Sequence, residues 1–187
     1  MNGVANVTAV GLDLSLTSTG FVVIAPDGPD STAIVPPKKG PESRGVGRLL
    51  YIRGQLLSLI ESFRPDIVIL EGYAYGAVAK REAMGELGGV VKIMLHESGY
   101  QEGDLLRIVA PKMVKKFATG NGNADKSQMR LDVFKRWGFD SGTDDEADAF
   151  VMAKIGKILI DPGEKLTKFQ EEIIRDLSRE GKAKGEK

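Results

Sequence analysis

The sequence predicts an α/β fold, a mixed sheet with helices on its faces, and three observations carry that reading. Three β-rich segments follow one another within residues 7–35, close enough to form an antiparallel meander. Two further apolar runs, at 67–70 and 105–109, alternate with segments of helical period, as parallel strands do when joined by crossovers. The chain of 187 residues, 42% hydrophobic and 28% charged, is long enough to bury the core that such a sheet needs.

Taken in order, residues 7–14 are apolar and form the first strand, and 18–25 form the second. Pro26-Asp27-Gly28-Pro29 reads as a turn by composition, and 32–35 as a third strand. The proline- and glycine-rich stretch 36–41 breaks structure. Leu49, Leu50, Leu56, Leu57 and Ile60 then recur at helical spacing, interrupted by Arg53, and Pro65 ends the helix. Ile67-Val68-Ile69-Leu70 reads as a strand buried on both faces, and 72–76 as a loop. The next helix carries Met84, Leu87, Val91, Met94 and Leu95 on one side; with Gly85, Gly88 and Gly89 it is a candidate for close packing against a partner helix, or simply the cover of its own sheet. Val90 and Ile93 make it apolar on more than one side.

After the strand at 105–109, Pro111 suits the first turn of a helix. Residues 119–123 form a loop, and Asp125 caps a helix ending at Trp137, itself a core residue. Thr143 and Glu146 make a capping box that opens a helix to about residue 160. A last amphipathic helix over about 164–179 precedes a Lys/Gly/Glu tail expected to fray. The expected organisation is one domain over 1–160, followed by a C-terminal helix and disordered tail over 161–187.

Composition narrows the chemistry. The chain has no Cys and one His, which excludes thiol nucleophiles, Fe–S clusters, Cys zinc sites and His-rich metal cages. His96 itself reads as a surface residue. Any metal must be held by Asp and Glu oxygens, which favours Mg²⁺, Mn²⁺ or Ca²⁺. No apolar run approaches the roughly 18–20 residues of a membrane helix, and no signal peptide opens the chain. Net charge is zero but unevenly spread: 1–106 carries −3, 107–136 carries +6 and 137–187 carries −3. The basic block holds Arg107, Lys112, Lys115, Lys116, Lys126, Arg130, Lys135 and Arg136, a candidate polyanion contact as well as a plausible solvated face.

Four acids stand where chemistry is placed in such folds. Asp13 lies inside the first strand, on the side of Ala9 and Gly11, where a carboxylate is costly unless paired or bound to a cation. Its bland reading is a cap for the 15–20 turn. Glu71 ends the run 67–70, at the carboxyl end of a strand, where ligand groups commonly sit and where ordinary polar residues also leave the core. Asp145 and Asp148 share one side of a helix. Asp145 also suits the first-turn dipole, whereas Asp148 lies past it between small residues. Acids from separate segments without spare His or Cys fit a carboxylate site for two hard cations, of the kind that cleaves phosphodiesters. Lys126 or Lys115 can stabilise phosphoryl charge there, and Tyr73 and Tyr75, with Lys80 and Arg81 after them, can stack on bases or lid the core.

Together, Gly11-Leu12-Asp13-Leu14-Ser15 with Thr19-Gly20, Pro65-Asp66 through Glu71, Lys115 with Gly120-Asn121-Gly122-Asn123-Ala124-Asp125-Lys126-Ser127-Gln128, and Asp145-Glu146-Ala147-Asp148-Ala149 resemble the motifs of RuvC-like Holliday-junction resolvases, in the RNase H-like superfamily. The resemblance covers about residues 7–155. It departs at Leu14, where the family carries Pro, and at Ala74, where cellular members carry an aromatic. The divergence is similar to that of a bacteriophage member. The resemblance implies an RNase H-like mixed five-stranded sheet and a homodimer in the cytoplasm of a bacterial or host cell. It implies cleavage of four-way DNA junctions with two Mg²⁺ per site, Mn²⁺ being a possible substitute. Asp13, Glu71, Asp145 and Asp148 would be the metal acids, with Lys126 catalytic beside them. Lys112, Lys115, Lys116, Lys126, Arg130, Tyr73, Tyr75, Lys80 and Arg81 would contact DNA. Rival readings are an RNase H-like nuclease on other branched DNA or RNA–DNA hybrids, a non-catalytic junction-binding protein, and an actin/Hsp70-like ATP-binding fragment.

Overall fold

The computed structural model describes residues 6–72 and 78–185, with side chains described at 6–72 and 82–179. Five strands, β1 (Ala9–Asp13), β2 (Thr19–Ala25), β3 (Gly28–Ile34), β4 (Ile67–Glu71) and β5 (Leu106–Val109), form one sheet in the order β3-β2-β1-β4-β5. The first three are antiparallel; β4 and β5 join parallel to β1. The mixed sheet expected from the meander and the two later apolar runs is present.

Period-two alternation splits the sheet's side chains between two cores. Val10, Leu12, Phe21, Val23, Val68 and Leu70 pack against helices α1 (Gly45–Phe63) and α2 (Val78–Glu97). Ala9, Val22, Ile24, Ile67 and Ile69 pack against α5 (Asp144–Ile160) and, beyond it, α3 (Pro111–Thr119), α4 (Lys126–Trp137) and α6 (Lys168–Gly185). The central helix α5 is buried on nearly every side, from Ala147 to Ile158, as a helix sandwiched between layers must be. Trp137 stacks on Phe117 and tilts against Phe150 in this second core.

Several boundaries differ from expectation. The expected four-residue turn is a two-residue hairpin loop, with Ala25 paired to Gly28 and Pro29 already inside β3. An edge strand tolerates that proline, because it need not donate in both directions. In α1 the buried stripe is Leu49, Ile52, Leu56 and Ile60, while Leu50 is 59% exposed. Arg53, which interrupted the sequence stripe, reaches out to Glu97 of α2. The last helix starts at Lys168 rather than near 164 and continues to Gly185, through the tail whose composition suggested fraying. In α2, Leu87, Val91, Met94 and Leu95 are all fully buried against the sheet, so the proposed partner-facing stripe is the cover of its own core. Among the described side chains, α2 leaves Glu82, Glu86, Ile93, His96 and Glu97 in solvent, with Gly85 and Gly89 facing open space.

Candidate metal and phosphodiester site

The site begins with register. β1 and β4 run parallel with Leu12 beside Leu70, so the next residues, Asp13 and Glu71, emerge side by side at the carboxyl ends of adjacent strands. Alternation puts both on the face covered by α5, in line with Ala9 and Gly11 on β1 and Ile67 and Ile69 on β4. Asp13 is not spent on the following turn. That turn is held by Thr19 Oγ1, which donates to the Ser15 carbonyl at 2.7 Å, and by Ser15 Oγ, which accepts from the Thr17 N–H at 3.3 Å.

The approach of α5 is set by two glycines. A Cβ on Gly11 would overlap the carbonyl of Ala149 and lie 2.6 Å from the Ala153 nitrogen; one on Gly20, the residue paired with Asp13, would lie 2.6 Å from the Asp145 carbonyl carbon. Only without those carbons can the helix lie directly on β1 and β2. The capping box supplies the start of α5: Thr143 Oγ1 accepts from the Glu146 N–H, and the Glu146 carboxylate accepts from the Thr143 N–H. Each acid of the Asp144-Asp145-Glu146 run therefore has its own direction. Glu146 closes the cap, Asp144 pairs with Lys126 at 3.2 Å, and Asp145 turns to Asp13. Asp148 follows one turn later, within the field of Asp13 and Glu71.

The electrostatics are those of a crowded, half-buried carboxylate cluster. Asp13 is pushed up to about 9, first by burial and then by the charges of Glu71, Asp148 and Asp145. Glu71 is pushed up to about 7 by burial and by Asp148, against a hydrogen bond with Asp13 and the charge of Lys115. Asp13 and Glu71 share a hydrogen bond and titrate as a pair, both raised by burial. Asp148 is raised to about 6 by burial, with Lys115 and Lys126 pulling it down. Burial also raises Asp145. Lys126 is raised, chiefly by its hydrogen bond with Asp144. It stands as the first residue of α4, where a cation opposes the helix dipole. Local helix energetics do not favour a lysine there; the carboxylates beside it do.

Among the described residues, no three acidic or histidine side chains are already closed into a ligand cage. The donor set nevertheless fits a hard divalent cation. It is all oxygen, drawn from β1, β4 and α5, and carries raised proton affinities that a cation would replace. Stability should respond to that. Each raised carboxyl holds its proton more tightly folded than unfolded, so stability is lost as pH rises from the ordinary carboxylate value near 4 through about 6, 7 and 9 in turn. In EDTA the melting temperature should therefore fall steadily between pH 5 and pH 9, and millimolar Mg²⁺ or Mn²⁺ should flatten the decline. A flat profile in EDTA would contradict the cluster.

The other sequence candidates disperse. Lys115 is half-buried on α3 and acts on both Glu71 and Asp148. Lys112 is exposed on the same helix. Lys116 turns away to Glu172 of α6 at 3.2 Å, and Arg130 donates to the Ser141 carbonyl at 2.8 Å. Arg136 lies over the Phe169 ring. Tyr73 and Tyr75 lie outside the described residues, as do the side chains of Lys80 and Arg81, whose backbone is in the first turn of α2. Sequence reasoning missed Asp144 as the partner of Lys126. The signal was available in the three consecutive acids after a capping Thr, only one of which the cap can use.

A family model described as crossover junction endodeoxyribonuclease RuvC matches residues 9–155. A protein of that name from Parvibaculum lavamentivorans is 33% identical over 79% of this chain and 85% of its own. Another, from Synechococcus sp., is 28% identical over 79% of this chain and 96% of its own. Among solved structures, T. thermophilus RuvC in complex with Holliday junction substrate superposes with a TM-score of 0.65, at 23% identity, over 79% of this chain and 90% of its own. The yeast mitochondrial Holliday junction resolvase superposes at 0.56, with 14% identity, over 95% of this chain and 84% of its own.

Proposed function

The chain belongs to the RuvC family of crossover junction endodeoxyribonucleases, and from that premise we propose that it nicks four-way DNA junctions with Mg²⁺, or Mn²⁺ in its place, at Asp13, Glu71, Asp145 and Asp148. The observation that carries this reading is the convergence of those four carboxylates from three elements onto one face, with two lysines turned toward them. Two bound ions would activate the attacking water and stabilise the leaving oxygen. The protein's own part is to hold the carboxylates deprotonated toward the ions and to bring cations to the phosphate. Lys115 and Lys126, on either side of the 120–125 loop, offset the cluster's charge and can neutralise charge developing on the phosphoryl oxygens. Cleavage of a mobile four-way junction, a flap, a duplex and an RNA–DNA hybrid, side by side with Mg²⁺, tests it. Preference for the hybrid, or indifference to branching, would move the chain to a different nuclease activity.

The exposed basic residues Lys112 and Lys126 support a phosphate contact. A Lys126→Glu or Lys115→Glu chain should bind junctions more weakly, with a salt dependence shallower by about one unit of slope per lost phosphate contact. Filter binding at several salt concentrations measures this, and unchanged affinity in both chains would refute the assignment.

Two nicks in strands of like polarity call for two sites, and a two-fold homodimer supplies them. The face of α2 left for such a partner carries Gly85, Gly89 and Ile93, the last 60% exposed, with the exposed Glu82 and Glu86 beside them. Ile93→Asp should then leave the fold intact, shift sedimentation toward monomer, and reduce paired nicking more than single nicking. A wild-type monomer at micromolar concentration that still cuts both strands would exclude the dimer.

A further inference from the structure

The last helix lies beyond the stretch that the family model matches, yet it shares the core beneath the site: Ile173 and Leu177 are buried with Val114 and Phe117 of α3. Its first turn makes a more specific connection. Gln170 is only 5% exposed, and both ends of its amide are engaged. Its Oε1 accepts from the Thr167 N–H at 3.0 Å and from the Thr167 hydroxyl at 2.9 Å, and its Nε2 donates to the Phe117 carbonyl at 3.1 Å.

That carbonyl matters because α3 has only nine residues, so its unpaired C-terminal carbonyls are a large share of its backbone. Three successive ones are satisfied from three sources. Thr119 Oγ1 donates to the Lys115 carbonyl at 2.9 Å, the Gly120 N–H to the Lys116 carbonyl at 2.8 Å, and Gln170 to the Phe117 carbonyl. The third source comes from α6, more than fifty residues away. Next to Gln170, the Phe169 ring lies 3.4 Å from where a Cβ on Gly120 would stand, at a position whose φ of 81° already favours glycine, and Arg136 of α4 covers the ring at 5.6 Å. The start of α6 thus closes over the end of α3, the beginning of the 120–125 loop and the end of α4. Lys115 sits one turn inside that clamp.

We propose that Gln170 and Phe169 are positioning residues for Lys115: the first turn of α6 fixes the C-terminal turn of α3 and thereby sets where the Lys115 ammonium stands relative to Glu71 and Asp148. The proposal rests on the junction-nicking function above for its catalytic half, while its structural half stands without DNA. Gln170→Glu keeps the acceptor that Thr167 uses and sets a carboxylate against the Phe117 carbonyl. In the full-length protein without DNA or metal, it should speed amide hydrogen exchange at 117–121 by about tenfold or more while leaving the β1 and β4 amides unchanged. With junction and Mg²⁺, single-turnover nicking should slow by about tenfold, and junction affinity should fall no further than it does in Lys115→Ala. Because the effect runs through Lys115, the Lys115→Ala/Gln170→Glu double variant should be no slower than Lys115→Ala alone, whereas a merely structural loss would add to it. Unchanged exchange at 117–121, or additive rate losses, overturns the proposal. If Gln170→Glu does not fold, Phe169→Leu is read by the same exchange and rate comparisons. A wild-type protein that nicks no junction defeats the proposed function, and the exchange measurement still decides the clamp.

Discussion

Asp13→Asn will abolish cleavage, by at least about a thousandfold, while leaving junction binding within about twofold. Asparagine fills the same space beside Gly20 and Glu71 but carries no charge to hold a cation. Phosphate contacts lie on other residues, so affinity should survive. The same substitution should make the metal-free protein more stable at pH 8. Asp13 is the most desolvated of the four acids and carries the proton affinity pushed up to about 9, so at pH 8 its burial is a burden on the fold that an amide escapes. The paired outcome, a dead enzyme that melts later in EDTA, distinguishes a metal ligand from a structural acid, whose removal would lower stability. Nicking in gel assays and thermal melts in EDTA measure the two halves. An Asp13→Asn chain that still cuts at a tenth of the wild-type rate would rule out the metal assignment.

Gly11→Val will prevent folding, or cost at least about 3 kcal/mol where folding survives, against a typical total of about 5–15 kcal/mol. The obstruction is backbone: the added carbon meets the carbonyl of Ala149 and the nitrogen of Ala153 in the middle of a buried helix. Neither can rotate away as a side chain would. Lifting α5 would also withdraw Asp145 and Asp148 from the strand ends, so any folded fraction should cut poorly. Gly54→Ala is the control. Its added carbon meets open space in α1, and alanine in a helix is favoured over glycine by roughly 0.5–1 kcal/mol, so it should be neutral or slightly stabilising. Circular dichroism and melting temperature compare the two. Equal stability of the Gly11 and Gly54 variants would show that the helix–strand approach is looser than described.

The carboxylates were legible in the sequence because their placement follows from periodicity. Asp13 and Glu71 end apolar strands, Asp145 and Asp148 share a helix face, and a protein with no Cys and one His offers few other ligands. Long-range consequences were not. Leu50 and Ile52 are two residues apart on α1, and nothing local says which of them the sheet will cover. The α2 stripe was equally compatible with a partner helix and with its own sheet until Leu87, Val91, Met94 and Leu95 were seen buried together. Of the basic block, the sequence shows charge but not allegiance: Lys116 and Arg130 are engaged by Glu172 and Ser141, from α6 and from the turn before α5. Gln170 is legible in the sequence only as the N3 glutamine of a Thr167-x-x-Gln170 capping pattern, and nothing local says that its amide nitrogen reaches the Phe117 carbonyl more than fifty residues away.

The central position of α5 has a consequence for how the protein is made. Synthesis runs from the N-terminus, and all five strands are complete by Val109, yet one entire face of the sheet waits for a helix that begins at Asp144. Until that helix leaves the ribosome, Ala9, Val22, Ile24, Ile67 and Ile69 have no cover and Asp13 and Glu71 lack the other two carboxylates. A chain broken off before that point is therefore both sticky and inert: it exposes apolar surface that chaperones and proteases recognise, and it cannot cut DNA. The order of synthesis is itself a safeguard, because no prefix that stops before Asp144 holds all four carboxylates.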